Sequence, residues 1–221
     1  MTEWPAVWIT IKLGLWSTAI LLAVGLPLAW WLAFRARRLR AVVEAVVALP
    51  LVLPPTVLGF YLLLLLGPAG PFGWFGGSLT FTFQGLVVGS VLYSLPFVVQ
   101  PLQATFEQIG RAPLEVAATL GAGQLDRFFN VLLPLARPGL ITAAVLGFAH
   151  TLGEFGVVLM LGGNIPGRTR VLSIAIYDKV EQLDYTTAHW MAGGMLAISF
   201  LVLLVVFAVR RRQTGLALPH V

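Results

Sequence analysis

Five long apolar runs dominate this chain, at residues 8–34, 41–67, 83–105, 140–161 and 188–209. About 20 mostly apolar residues cross the hydrocarbon core of a bilayer as a helix. The runs therefore predict an all-α, polytopic integral membrane protein. Only 10% of the 221 residues are charged and 58% are hydrophobic, whereas roughly a quarter of a soluble domain is charged. A surface so poor in charge needs lipid around it. The second run contains Pro50, Pro54 and Pro55, and each proline frees a carbonyl that neighbours or water must satisfy. That run predicts either one kinked helix or two short pieces, so the count is five spans, or six. The N-terminus has Glu3 where a signal peptide would be basic, and the first run is expected to stay as a helix. With no internal repeat, residues 1–221 read as a single transmembrane domain.

Lys and Arg in short loops set the orientation of such a chain. Ten of the fourteen basic residues would share one side: Arg35, Arg37, Arg38, Arg40, Arg111, Arg127, Arg137, Arg210, Arg211 and Arg212. The other side holds Lys12, Arg168, Arg170 and Lys179. The expected orientation is N-terminus outside and C-terminus cytoplasmic. The net charge of +5 then reflects topology and contact with anionic headgroups by Arg35 to Arg40, not nucleic-acid binding. Arg168, Arg170 and Lys179, beside Asp178, Glu181 and Asp184, read as a solvated outer loop. Trp74 and its neighbouring phenylalanines suit the membrane interface.

Several chemistries are excluded. There is no cysteine, hence no disulfide framework and no thiolate nucleophile or Cys-based metal site. No Gly-Lys-Ser/Thr follows a glycine-rich loop, so the chain has no phosphate loop of its own for ATP. Three scattered histidines and one deep carboxylate do not assemble a catalytic cluster or a metal site. No cofactor is expected.

One polar stretch interrupts the apolar pattern. Glu115-Val116-Ala117-Ala118-Thr119-Leu120-Gly121 reads E-x-A-x-x-x-G, and Val131-Leu132-Leu133-Pro134 follows. Pro113 suits a helix first turn, Glu115 then favours the helix dipole, and Gly121 supplies a left-handed C-terminal residue. Residues 124–133 are expected to form a second short helix stopped by Pro134. The stretch, about residues 107–138, resembles the cytoplasmic EAA loop of ABC-importer permeases. Val116 departs from that family's usual alanine. The resemblance implies a coupling helix seated in an ATPase subunit, with Glu115, Ala117, Ala118, Gly121, Val131, Leu133 and Pro134 at the contact. The charge count places this loop in the cytoplasm independently of the motif.

Two further stretches narrow the resemblance. Residues 49–60, Leu-Pro-Leu-Val-Leu-Pro-Pro-Thr-Val-Leu-Gly-Phe, look like the second-span signature of molybdate permeases. Leu152-Gly153-Glu154-Phe155-Gly156, followed by residues 163–169, is similar to the oxyanion permeases as a group. The resemblance implies a homodimer with its pathway at the two-fold interface, in a bacterial or archaeal plasma membrane. Its partners would be two copies of a cytoplasmic ATPase subunit and a periplasmic or extracellular molybdate-binding protein. The cargo the resemblance implies is molybdate, with tungstate as an alternative; sulfate or thiosulfate is the rival cargo, and a polytopic membrane enzyme or a passive channel is a rival of another class.

A pathway for a tetrahedral dianion needs several weak donors in series rather than one tight site. The spans hold Ser17, Thr18, Thr56, Ser90, Tyr93, Ser94, Thr142 and Thr151. Such hydroxyls also commonly bond helix to helix. Ser90, Ser94, Thr151 and Glu154 are the candidates for pathway or gate. An intramembrane carboxylate is costly. Glu154 is expected to bond His150, a backbone N–H or a partner helix in a structural or gating role.

Overall fold

The computed structural model describes residues 3–36, 38–73 and 77–215, without the side chains at 205, 206 and 209–215. All regular elements among them are helices: α1 (Trp4–Phe34), α2 (Arg40–Val52), α3 (Pro55–Leu66), α4 (Phe83–Ile109), α5 (Ala112–Thr119), α6 (Gln124–Leu135), α7 (Arg137–Gly153), α8 (Gly156–Gly162), α9 (Leu172–Glu181) and α10 (Tyr185–Gly215). Three are long and apolar enough to cross a membrane, α1, α4 and the stretch Tyr185–Leu204 of α10; the bent pairs α2–α3 and α6–α7 raise the count to five.

The second run resolves into two helices 112° apart. Leu53 leaves the helix with ψ 136, and Pro54 and Pro55 restart it, because the residue before a proline is pushed out of the α region. Proline alone does not break a span: α1 runs through Pro27, and α4 through Pro96 and Pro101.

The fourth run departs from expectation. It is not one helix over 140–161: α7 ends at Gly153, Glu154 is extended (φ −68, ψ 133), and α8 begins at Gly156. Pro134 does not stop the helix after the EAA-like motif either. The helix continues to Leu135, and the next begins at Arg137, 77° away. The proline instead follows a π-helical stretch, Arg127–Leu132. Widening the helix here eases the clash between the proline ring and the carbonyl four residues earlier.

Helices α1, α4 and α7 pack together as the centre, α3 and α8 pack on each other, and α10 covers α7 and α9. Two buried apolar clusters result. One, with Leu21, Leu32, Val98, Leu102, Phe106 and Leu132, adjoins the α5–α6 end. The other, with Leu13, Leu62, Leu66, Leu86, Val157 and Leu161, adjoins the opposite end. Helix α10 leaves Trp190, Leu196, Phe200 and Leu201 exposed, as a lipid-facing helix would.

At the outer end by the sequence reading, the charged loop is packed at Arg170 and Asp178, while Arg168 and Glu181 are exposed as expected of a solvated loop. Arg170 donates to Asp178 at 2.7 Å and to the Asn164 side-chain carbonyl at 2.8 Å, and Glu3 lies 3.9 Å from its guanidinium. This places the start of α1 beside the loop before α9. The interface expectation for Trp74 lies outside the described residues, as do Arg37 and the side chains of Arg210, Arg211 and Arg212.

Candidate functional site

The two apolar clusters bracket a belt of buried polar residues. Ser17 lies between Leu13 and Leu21 on α1, and Ser90 and Ser94 lie between Leu86 and Val98 on α4. Thr151 and Glu154 lie between Ala143 and Val157. All five are at most 3% exposed. Ser94 is the hub: its hydroxyl is 2.8 Å from His150 Nδ1 and 3.3 Å from the Thr151 hydroxyl. The His150 ring stacks on Phe97 at 3.9 Å and meets Tyr93 at 4.9 Å. Thr18 and Thr142 instead donate to carbonyls one turn back on their own helices.

Glu154 does not bond His150. Among the described residues neither of its carboxyl oxygens has a hydrogen-bond partner, and the same holds for the Ser17 and Ser90 hydroxyls. Ser90 faces the carboxyl without reaching hydrogen-bonding geometry. The reason is the break: with Glu154 extended, its side chain leaves the α7 face that carries His150. Its carbonyl is held by the Ser173 hydroxyl at 2.6 Å.

The α7–α8 break lies against the α2–α3 break. A Cβ on Gly156 would stand 2.8 Å from that of Pro55, so only glycine allows this approach. A cleft of about 430 Å³ opens there, lined among others by Thr56, Tyr93, His150 and Glu154. Thus Ser94, Thr151 and Glu154 converge on one region with Ser90, from segments far apart in the chain.

The EAA-like motif forms a separate surface. Pro113 lies at the start of α5 and Glu115 in its first turn. The Gly121 N–H bonds the Ala118 carbonyl and the Ala122 N–H the Ala117 carbonyl, both at 3.0 Å, with Gly121 at φ +86. This double closure ends a helix on a left-handed residue. Glu115, Ala118, Gly121 and Pro134 are exposed, while Ala117, Val131 and Leu133 are half-buried. Sequence reasoning missed the apolar residues on this face: Val116 is 61% exposed, Leu120 83%, Leu125 70% and Phe129 58%. Their signal was present, as bulky apolar residues in the polar stretch that interrupts the long apolar runs. Exposed apolar patches of this kind mark interaction surfaces.

This surface is tied to the membrane helices. Arg35 at the end of α1 donates to Gln124 at 2.6 Å, and Arg111 donates to the Phe34 carbonyl at 2.6 Å. A cleft of about 250 Å³ lies between them, lined by Trp30, Glu115 and Phe128. Nearby, Arg40 pairs with Glu44 on its own helix and with Glu107 on α4, and Gln103 donates to both glutamates.

The family described as binding-protein-dependent transport system inner membrane component matches residues 25–217. The chain is 61% identical over 217 residues to the molybdenum transport system permease protein of Azotobacter vinelandii, covering 96% of each chain. It is 36% identical to that of Escherichia coli K12, covering 81% of this chain and 80% of the relative. It is 37% identical to the sulfate transport permease of Salmonella typhimurium, covering 81% and 66%. The fold matches a bacterial alginate ABC transporter (TM-score 0.75, 19% identity, 95% of this chain and 78% of that one). It also matches the methionine ABC transporter in an inward-facing form (TM-score 0.72, 21% identity, 94% of each chain). With helices long enough to span a bilayer and a match over most of its length, the chain belongs to the family of inner-membrane components of binding-protein-dependent transport systems.

Proposed function

We propose that this chain is the membrane-spanning permease subunit of an ATP-driven importer for a tetrahedral oxyanion, with molybdate as its cargo. The observation that carries the cargo is the 61% identity, over 96% of both chains, to a molybdenum permease, against 37% to a sulfate permease. ATP hydrolysis belongs to a partner subunit, since the sequence holds no phosphate loop. Two chains pair about a two-fold axis with the pathway between them, two ATPase subunits bind inside, and one solute-binding protein docks outside. The bias of basic residues to one side supports an N-terminus outside and a C-terminus in the cytoplasm.

The coupling surface is residues 107–138, with Glu115, Ala117, Ala118, Gly121, Val131, Leu133 and Pro134 at the ATPase. The exposed Val116, Leu120, Leu125 and Phe129 support this reading, because an exposed apolar patch on this polar stretch suits a protein partner. Arg35–Gln124 and Arg111–Phe34 give movement of the coupling surface a direct route into α1. ATP binding draws the two coupling surfaces together, and the spans respond by opening the pathway outward. The anion passes the polar belt of Ser90, Ser94, Thr151 and Glu154, gated where the α2–α3 and α7–α8 breaks meet.

The test is uptake in cells without a molybdate importer, expressing this chain with its ATPase and binding protein. Labelled molybdate should accumulate and resist competition by excess sulfate. Equal competition by sulfate would transfer the reading to a sulfate permease.

A further inference from the structure

Glu154 is 3% exposed, and both of its carboxyl oxygens lack a partner among the described residues. Its backbone is anchored by Ser173, so the residue is fixed in place while its functional group is unused. Among the described residues, no neighbouring element offers it a cation. From α4 come Ser90, Tyr93 and Ser94, and from α3 comes Thr56. On α7, His150 is committed through Nδ1 to Ser94 and its ring lies against Phe97 and Tyr93. From α9, Tyr177 packs on Phe155 at 5.0 Å and gives its hydroxyl to Glu181, while Asp178 is taken by Arg170. On α1, Lys12 lies over the Phe83 ring, and on α10 His189 meets Trp190.

An ionised carboxylate stranded in this way is among the costliest groups a protein can bury. The neutral acid is far cheaper, and it is also a hydrogen-bond donor. The residue borders the cleft where the two helix breaks meet. At about 430 Å³ the cleft has room for a small anion and several waters, a water in the liquid taking about 30 Å³.

We propose that Glu154 serves the pathway as a protonated carboxylic acid, donating its O–H to an oxygen of the passing oxyanion, with the Ser90 hydroxyl as a second donor beside it. The inference rests on the oxyanion-permease reading. No proton is transferred: the acid keeps its hydrogen, and the anion enters and leaves as the same species. A neutral donor suits transit, because it orients a dianion without holding it as a lysine would. Loss of the proton turns the donor into a negative charge facing a negative cargo, and closes this site to it.

The experiment uses the full complex of this chain with its ATPase and binding protein in proteoliposomes, and reads ATP-driven molybdate uptake from mildly acidic to alkaline pH. Glu154→Gln keeps a neutral N–H donor in the same place. Its uptake should stay within about three-fold of wild type, since a neutral hydrogen bond replaces a neutral hydrogen bond. Wild-type uptake should fall several-fold at alkaline pH, and the Gln variant should not follow it. Glu154→Ala, with no donor, should lose about ten-fold or more at every pH. Two results overturn the proposal: loss of uptake in an intact Gln complex, or identical pH profiles for wild type and Gln. Failure of the wild-type complex to carry molybdate at any pH would instead sink the permease reading beneath it.

Discussion

Gly156 packs directly on Pro55: a Cβ at Gly156 would come within 2.8 Å of the proline's own. Two helix breaks, about a hundred residues apart in the chain, therefore meet where the polar belt lies. If this contact is the gate, a small wedge there should act out of proportion to its size. Gly156→Ala should reduce uptake, and Gly156→Val should abolish it while the chain still inserts and assembles. Uptake at the wild-type rate by an inserted Val variant would remove this contact from the mechanism.

The Ser94–His150 hydrogen bond joins α4 to α7 within the belt. Interhelical hydrogen bonds in membranes contribute roughly 0.6 kcal/mol on average and at most about 1.7. Ser94→Ala should lower unfolding stability in detergent by an amount in that range. The loss should shrink when His150→Phe is already present, because the partner is then gone. Additive effects of the two substitutions would show that the bond contributes nothing as a pair.

Gly121 closes α5 in a left-handed conformation with open space around it. Any fault from substitution there comes from the backbone or from the partner surface, not from crowding within this chain. Asn tolerates φ > 0 better than most residues, so Gly121→Asn should remain closest to wild type in ATPase association. Gly121→Asp adds a charge to the proposed contact, and ATP-driven uptake should drop sharply although the protein inserts. Co-purification of the ATPase with each variant checks this. Full association by the Asp variant would move the ATPase contact elsewhere.

The distribution of basic residues makes the orientation testable, and the absence of native cysteine gives a clean background. A cysteine placed at Gly70 or Asn164 should react with an impermeant thiol reagent in intact cells, and one at Gln124 should not. Labelling at Gln124 from outside would reverse the chain in the membrane.

The spans were legible in the sequence because apolar length decides them. α1 and α4 lie where the runs put them, despite internal prolines. Gly121 was legible because its need for positive φ is local; at Pro50 to Pro55 the sequence left a kinked helix and two pieces both open, and the structure has two. The break at Glu154 was harder to see. No proline marks it; its sign is an acid between two glycines in an apolar run, and that pattern also fits a continuous helix. The pairing of Ser94 with His150 joins positions 56 apart, and a single sequence carries no record of such distances. For the same reason His150, one of the three alternative partners expected for Glu154, does not bond it. That expectation assumed one continuous helix, on which residues four apart share a face. The π-helical stretch before Pro134 follows from the proline only once the helix is known to continue past it.

ATP-dependent uptake of labelled molybdate by the purified complex, reconstituted with a known orientation, measures import without other cellular transporters. Transport should require the binding protein outside and ATP at the ATPase side, and should stop when Gly121→Asp severs the coupling surface. Uptake that proceeds without ATP, or that survives Gly121→Asp unchanged, would contradict an ATPase-coupled permease and leave a passive channel in its place.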